Sequence, residues 1–508
     1  MQYLQTILGD HIYSKMKKWI LDNNLLIIVS LSIISRLPQL LSPNLILDGD
    51  ECIVGMMAKH FSEGKDVPYF FYGQSYGFSL VEVLVISLFY RIVENSDIAI
   101  KVSMLFLWIL GIIFFYKTIK QIEPKNNDWS SILAISLFIL SPAWAIWSMK
   151  ARGGYITSFV LSSFTTFMLF HKRLNKSFYR LFLIGFFVVV IYQAQPLWLA
   201  GLIPILCYRL YKLKQTRSVI LVCTGMTISM LLFLFIKADL SSFWSPKVLS
   251  LYSITFSSIL KIPNQIYQNL TGSYYLDNFF QPILVTRVLA YISTIFIFIG
   301  LGLAFFNFIQ GKKVNPLFYV FSISVLCTIC YPLILNGVSP RYLLPLYGYT
   351  FLMMYTLIVN SKKKTILNII LLFMIFLGGI SMYSFKDANF ENTNKNKLLT
   401  LIDELESRNI NYVYVKNGLL QWQIMFYSNE QILARYKSKT SRYPEYIDIV
   451  DSALNNPETE VAMVGPISPM DEPTLSNNII LVENRYFIYV NPDKSVLMDN
   501  GFKFKKRQ

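Results

Sequence analysis

Residues 45–93 read LILDGDECIVGMMAKHFSEGKDVPYFFYGQSYGFSLVEVLVISLFYRIV, and the apolar run at the end, Phe78 to Val93, decides the orientation of everything after it. A helix that crosses ~30 Å of hydrocarbon needs ~20 residues, so this run is either a short span or a helix lying at the membrane surface. Suppose it does not span and the N-terminus, with Lys15, Lys17 and Lys18, is cytoplasmic. The cytoplasmic side then receives Lys117, Lys120 and Lys125, followed by Lys172, Arg173, Lys176 and Arg180. It also receives Arg209, Lys212, Lys214 and Arg217, then Lys312 and Lys313, and finally Lys362, Lys363 and Lys364. Basic residues concentrate in cytoplasmic loops of membrane proteins. A spanning run would turn all of these clusters outward, so the surface-helix reading is adopted.

Working outward, apolar runs recur at 24–41, 97–119, 130–148, 154–171, 180–195, 197–211, 218–236, 285–308, 316–335, 342–360 and 365–384. They predict a polytopic α-helical membrane protein of about 11 transmembrane helices. The pair 180–195 and 197–211 is short and interrupted by Gln193, Gln195 and Pro196, which predicts a tight turn at the membrane surface. Composition agrees: 54% of the 508 residues are hydrophobic and only 15% charged, against about 25% charged in soluble domains. Mean hydropathy is +0.45. The first apolar run continues into a full span and shows no signal-peptide cleavage pattern.

The net charge of +16 sits in the membrane half: from Asp387 onward 16 acids face 14 Lys or Arg, which leaves 32 basic and 14 acidic residues before it. No soluble basic face with interleaved aromatics exists, so nucleic acid is excluded as a partner. Five cysteines form no disulfide framework, and the Cys327–Cys330 pair lies within an apolar run without further ligands. With only His11, His60 and His171 in the chain, a histidine-based metal site is not expected. No glycine-rich phosphate loop or internal repeat is present, which argues against an ATP-driven pump.

The domains expected are a membrane domain at 1–384, whose first outer loop is 42–96, and a small extracytoplasmic α/β domain at 385–508. The tail alternates helix-like stretches (Leu398–Arg408, Tyr446–Leu454) with strand-like ones (Tyr412–Val415, Val461–Val464, Ile479–Val482, Tyr486–Val490). The other outward pieces are the Lys150–Gly153 turn, the 237–284 loop and the Asn336–Arg341 turn.

In the first loop Asp48, Asp50 and Glu51 stand just past the first span. Such clustered carboxylates at a membrane surface either carry function or cap the helix that follows, at Cys52–Ser62. The stretch SPAWAIWSMKARGGY (141–155) places Lys150 and Arg152 outward, and NGVSPRYLLPLYG (336–348) does the same for Arg341. Outward cations run against the positive-inside bias. Each is explained either by snorkelling or by an anion such as phosphate. A carboxylate opposite cations, outside and at the membrane, is what sugar transfer from a polyprenyl phosphate requires. The carboxylate takes the proton of the acceptor hydroxyl, and the cations stabilise the departing phosphate.

At these residues the chain resembles the GT-C glycosyltransferases, in particular glycosyltransferase family 39 and the related protein O-mannosyl and aminoarabinose transferases. Asp50-Glu51 matches the family's acidic pair in the first outer loop. FYGQSYGFSLVE (Phe71–Glu82) is similar to the Y-G-Q-x-Y-x-G-S-L-E stretch of bacterial members, with Phe78 where glycine is more usual, and SPRYLLPLY is similar to a late R-Y-x-x-P element. The resemblance implies an inverting transfer with Asp50 as general base and Glu51 beside it, and Arg341, Arg152 and Lys150 on the donor phosphate. It implies Tyr72, Gln74 and Glu82 as substrate-binding residues. It fixes no cofactor and leaves a divalent cation open, since transfer is either metal-independent or metal-assisted. The implied partners are a polyprenyl-phosphate sugar donor, a lipid, glycan or protein hydroxyl acceptor, and the lipids of a prokaryotic cytoplasmic membrane. The competing classes are a transporter or flippase for lipid-linked sugars and a sensor with a ligand-binding tail. A transporter favours broken or charged elements near mid-membrane and repeated halves; a sensor leaves the loop acids and Arg341 without a role.

Overall fold

A computed structural model describes residues 22–93, 96–122, 129–174, 177–237, 255–272, 282–312, 314–334, 339–361, 363–386, 395–437, 442–467 and 478–504. The chain divides into two compact units. The first comprises residues 1–42, 101–150 and 154–388; the second comprises 43–100, 151–153 and 389–508.

Among its described residues the first unit holds helices and turns and no strand. Six helices among the described residues are long and apolar enough to cross a membrane: Asp97–Ile122, Thr216–Lys237, Leu284–Ile309, Pro316–Ile334, Pro340–Val359 and Lys364–Ser384. Shorter apolar helices occupy Asn24–Leu40, Leu80–Tyr90, Trp129–Ile139, Tyr155–Phe170 and Phe178–Ala194. The result is a polytopic helical membrane protein whose helices fall on the apolar runs of the sequence. The run at 130–148 breaks in two, Trp129–Ile139 and Pro142–Trp147, because Pro142 has no N–H to continue the ladder. Arg36, fully buried, takes up the break: its guanidinium donates to the carbonyls of Ile139 (2.7 Å) and Trp144 (3.0 Å) and to Ser148 Oγ (3.1 Å), and it lies 4.3 Å over the Trp108 ring.

The turn at 195–198 is a short 3₁₀ element, Pro196–Trp198, between helices Phe178–Ala194 and Leu199–Leu213. It is held by Ser158 Oγ donating to Gln195 O (2.5 Å) and Tyr349 Oη donating to Trp198 O (2.7 Å). Phe178–Ala194 also crosses Thr216–Lys237 with the backbones touching. A Cβ on Gly185 would lie 1.9 Å from the carbonyl of Val222, and one on Gly225 2.0 Å from that of Phe182. Small residues permit such crossings, which gain close van der Waals contact in lipid. Within the expected 237–284 loop a helix spans Phe256–Thr271, while 238–254 and 273–281 lie outside the described residues, as do parts of the turns at 120–128, 172–179 and 361–364.

The second unit joins a five-stranded sheet to the first-loop helices. Its strands are β1 (Tyr412–Val415), β2 (Leu433–Tyr436), β3 (Val461–Pro466), β4 (Ile479–Val482) and β5 (Tyr486–Val490), in the order β2-β1-β3-β5-β4. β1 pairs in parallel with β2 and β3, and β5 pairs antiparallel with β3 and β4. Parallel neighbours need crossover helices, supplied by Gly418–Tyr427 and Pro444–Leu454. Tyr414, Val450, Val461, Met463, Leu497 and Phe502 form the core on one face of this sheet.

Helix Gly418–Tyr427 also anchors the acidic stretch. Gln423 Nε2 donates to Leu47 O (2.8 Å) and Leu47 N–H donates to Tyr427 Oη (3.0 Å). A Cβ on Gly49 would meet the Leu419 backbone at 2.6 Å, so only glycine lets the two chains approach there. Helix Leu80–Tyr90 belongs to the same unit and has 11 residues; at 1.5 Å per residue it spans roughly 16 Å, half of a hydrocarbon core.

Candidate active site

The site forms at the N-terminus of helix Gly49–Ser62, and the three acids of that turn have separate tasks. Asp48 is the N-cap: its Oδ1 accepts from Glu51 N–H at 2.9 Å, and Glu51 Oε2 accepts from Asp48 N–H at 3.2 Å. This reciprocal capping box satisfies two of the orphan amides at a helix start, and both side chains are buried. Asp50, between them, turns outward. Its Oδ2 lies 2.9 Å from Arg152 Nη2 and its Oδ1 3.5 Å from Arg442 Nη2, with the carboxylate 14% exposed. Arg152 also reaches Asp48 Oδ2 at 3.8 Å.

The loop Phe70–Ser79 lies alongside. Phe78, where the sequence departs from the similar stretch, bridges back to Phe70, and the two rings meet edge-to-face at 6.0 Å. Phe71 N–H donates to Gly77 O at 3.1 Å. Gly77 has φ +74°, and a Cβ there would sit 3.0 Å from the carbonyl of Gly153. That packs the loop onto the turn that carries Arg152.

Behind the acidic turn, the same helix ends in a polar hub. His60 Nδ1 meets Tyr72 Oη at 2.7 Å and its Nε2 meets Glu430 Oε1 at 3.0 Å. Lys59 Nζ pairs with Glu430 Oε2 at 2.7 Å, and Tyr446 Oη donates to Glu430 Oε1 at 2.5 Å. Burial by itself would raise the Glu430 carboxyl, but hydrogen bonds from His60, Lys59 and Tyr446 outweigh it and hold it at about 2. Burial pushes the Tyr72 and Tyr446 hydroxyls up. Tyr72 packs between Trp422 and Tyr443, with ring centroids at 6.2 and 5.1 Å.

Of the residues expected from sequence, Asp48, Asp50, Glu51, Arg152, Tyr72, Gln74 and Glu82 belong to the second unit, and Lys150 and Arg341 to the first. The Tyr72 hydroxyl is hydrogen-bonded to His60 Nδ1. Gln74 is half-buried in the loop, and Glu82 is buried on helix Leu80–Tyr90. Lys150 is buried just past helix Pro142–Trp147. Arg341 lies in the 3₁₀ turn Pro340–Leu343 with its guanidinium 5.4 Å over the Tyr342 ring. Asn269 Nδ2 holds that turn by donating to Pro340 O at 2.7 Å; Asn336 itself lies outside the described residues. Arg442 and the His60–Glu430 hub escaped the sequence reading. A lone arginine or histidine carries no local pattern, and their partners lie hundreds of residues away.

The acids do not suit a divalent cation. Asp48 and Glu51 hold the helix cap and Asp50 faces two guanidinium groups. Among the described residues no group of three or more His, Cys, Asp or Glu could hold a metal ion.

A multi-pass helical body with an α/β unit built from the first loop and the tail is the GT-C architecture, and the chain has the GT-C fold. The crystal structure of ArnT from Cupriavidus metallidurans bound to undecaprenyl phosphate shares it, with a TM-score of 0.58 over 93% of this chain and 98% of that one. The apo form of that protein gives 0.54 over 94% and 99%. Sequence identity is 10% in both cases, so the likeness is one of fold. No protein-family model matches the sequence, and no curated protein sequence matches it.

Proposed function

We propose that the chain is a membrane glycosyltransferase that moves a sugar from a polyprenyl-phosphate carrier to an acceptor hydroxyl on the extracytoplasmic face of a cell membrane. The reading rests on Asp50: it is the acid of the turn that the helix cap does not consume, its carboxylate keeps 14% of its surface exposed, and a guanidinium stands 2.9 Å from it. The fold shared with a protein crystallised with undecaprenyl phosphate supports the choice of donor.

In the reaction the acceptor oxygen attacks the anomeric carbon as Asp50 takes its proton. The bond from that carbon to the phosphate oxygen breaks, and its electron pair leaves on the polyprenyl phosphate. Attack opposite the leaving group inverts the anomeric centre. Arg152 has five N–H donors, so it can hold Asp50 and a phosphate oxygen together; Arg341 and Lys150 are further candidates for the donor phosphate on the resemblance alone. Along the chain the membrane-spanning part runs to residue 384 and the outer tail is 385–508; the first loop, which packs into one unit with the tail, faces the same side.

The test uses purified protein and a polyprenyl-phosphate sugar, with release of polyprenyl phosphate as the readout. Asp50→Asn keeps shape and removes basicity, and should lower kcat by ~10²–10⁴-fold. Glu51→Gln should be milder and Asp48→Asn mildest, because their tasks are in the helix cap. Full turnover in Asp50→Asn would refute the assignment.

A further inference from the structure

We infer that Arg442, contributed by the tail, is a phosphate ligand of the same site and reads the phosphate of the lipid carrier; this rests on the functional reading above. Three observations carry it. First, Arg442 reaches Asp50 at 3.5 Å, long beside the 2.7–2.9 Å of a good charge-assisted bond, so the carboxylate leaves its donors largely unspent. Secondly, Nη1 of Arg442 is buried and has no hydrogen-bond partner among the described residues. A buried donor without an acceptor is costly, and an incoming anion relieves it. Thirdly, the guanidinium is held in place: it lies 4.7 Å over the Phe71 ring.

The backbone is brought equally close. Gly73 has φ +65°, and a Cβ on it would stand 2.5 Å from the Arg442 Cα. The FYGQ turn is therefore a seat for this arginine. A planar, pre-placed guanidinium beside Arg152 matches two oxygens of a phosphate, as a flexible ammonium does not. The tail thereby enters donor recognition directly, and the loop glycine and aromatic acquire a reason in the sequence.

The experiment measures binding of undecaprenyl phosphate to the purified full chain, with inorganic phosphate as a second probe. Arg442→Ala should weaken undecaprenyl phosphate ~10- to 100-fold, the worth of a hydrogen bond to a charged group, while the thermal midpoint stays at the parent value. Arg442→Lys should recover part of the affinity, and Phe71→Leu should fall between parent and Arg442→Ala. Arg442→Gln, which keeps length and loses charge, serves if the alanine variant fails to fold. Unchanged affinity in Arg442→Ala, while Arg152→Ala or Arg341→Ala weakens it, overturns the inference and leaves the functional reading standing. Loss of inorganic phosphate affinity alone, with the lipid still bound tightly, also overturns it. If none of the three arginines matters, the functional reading falls as well.

Discussion

Glu430→Gln tests whether the tail locks helix Gly49–Ser62. In the folded chain the Glu430 carboxylate receives Lys59 at 2.7 Å, His60 at 3.0 Å and Tyr446 at 2.5 Å, and its pKa drops from 4.5 to about 2. At 1.36 kcal/mol per pKa unit this corresponds to about 3 kcal/mol of stabilisation, or roughly a hundredfold in a local opening equilibrium. Because the folded pKa is the lower one, the contribution is complete above the unfolded value near 4.5 and is lost as pH falls through about 2. Hydrogen exchange read by mass spectrometry at pH 7 should show peptides from 49–62 and 418–436 losing up to ~100-fold of their protection in the variant. The difference between parent and variant should shrink as pH falls below about 4.5 and vanish near 2. Equal protection at pH 7, or a gap that persists at the acid end, would refute the reasoning.

Arg341→Ala should lower sugar transfer far more than membrane insertion or thermal stability, and Arg341→Lys should restore only part of it, since a point charge replaces a planar fork; intact turnover would favour snorkelling. Gly185→Leu should lower the thermal midpoint and yield in detergent, because the Cβ alone would lie 1.9 Å from a facing carbonyl, whereas Gly302→Leu, with open space around it, should leave both near the parent value. In a Cys-less background, Asp66→Cys should react with an impermeant thiol reagent in intact cells and Lys172→Cys should not; the reverse pattern would invert the topology and remove the proposed site from the outer face.

The helices were legible because lipid leaves few choices: a backbone in hydrocarbon must satisfy its own hydrogen bonds, so apolar runs of span length become helices. The strands β1, β3, β4 and β5 were legible from clusters of β-branched and aromatic residues. β2, LARY, was not, because its central Arg435 reads as surface. In the fold Arg435 is fully buried, paired with Asp451 and lying 5.3 Å over the Tyr414 ring. The helix Gly418–Tyr427 was equally hidden, since it is apolar without a clear stripe.

The sequence by itself determined a polytopic helical protein and the cluster of acids at 48–51, because composition, length and charge bias act locally along the chain. Only the tertiary structure decided which acid is spent on the helix cap and which remains available. It alone brought Arg442 to Asp50, at 392 positions' remove, and Glu430 to His60, 370 positions away. Contacts across such separations depend on how the first loop and the tail pack into one unit, and no local propensity encodes them.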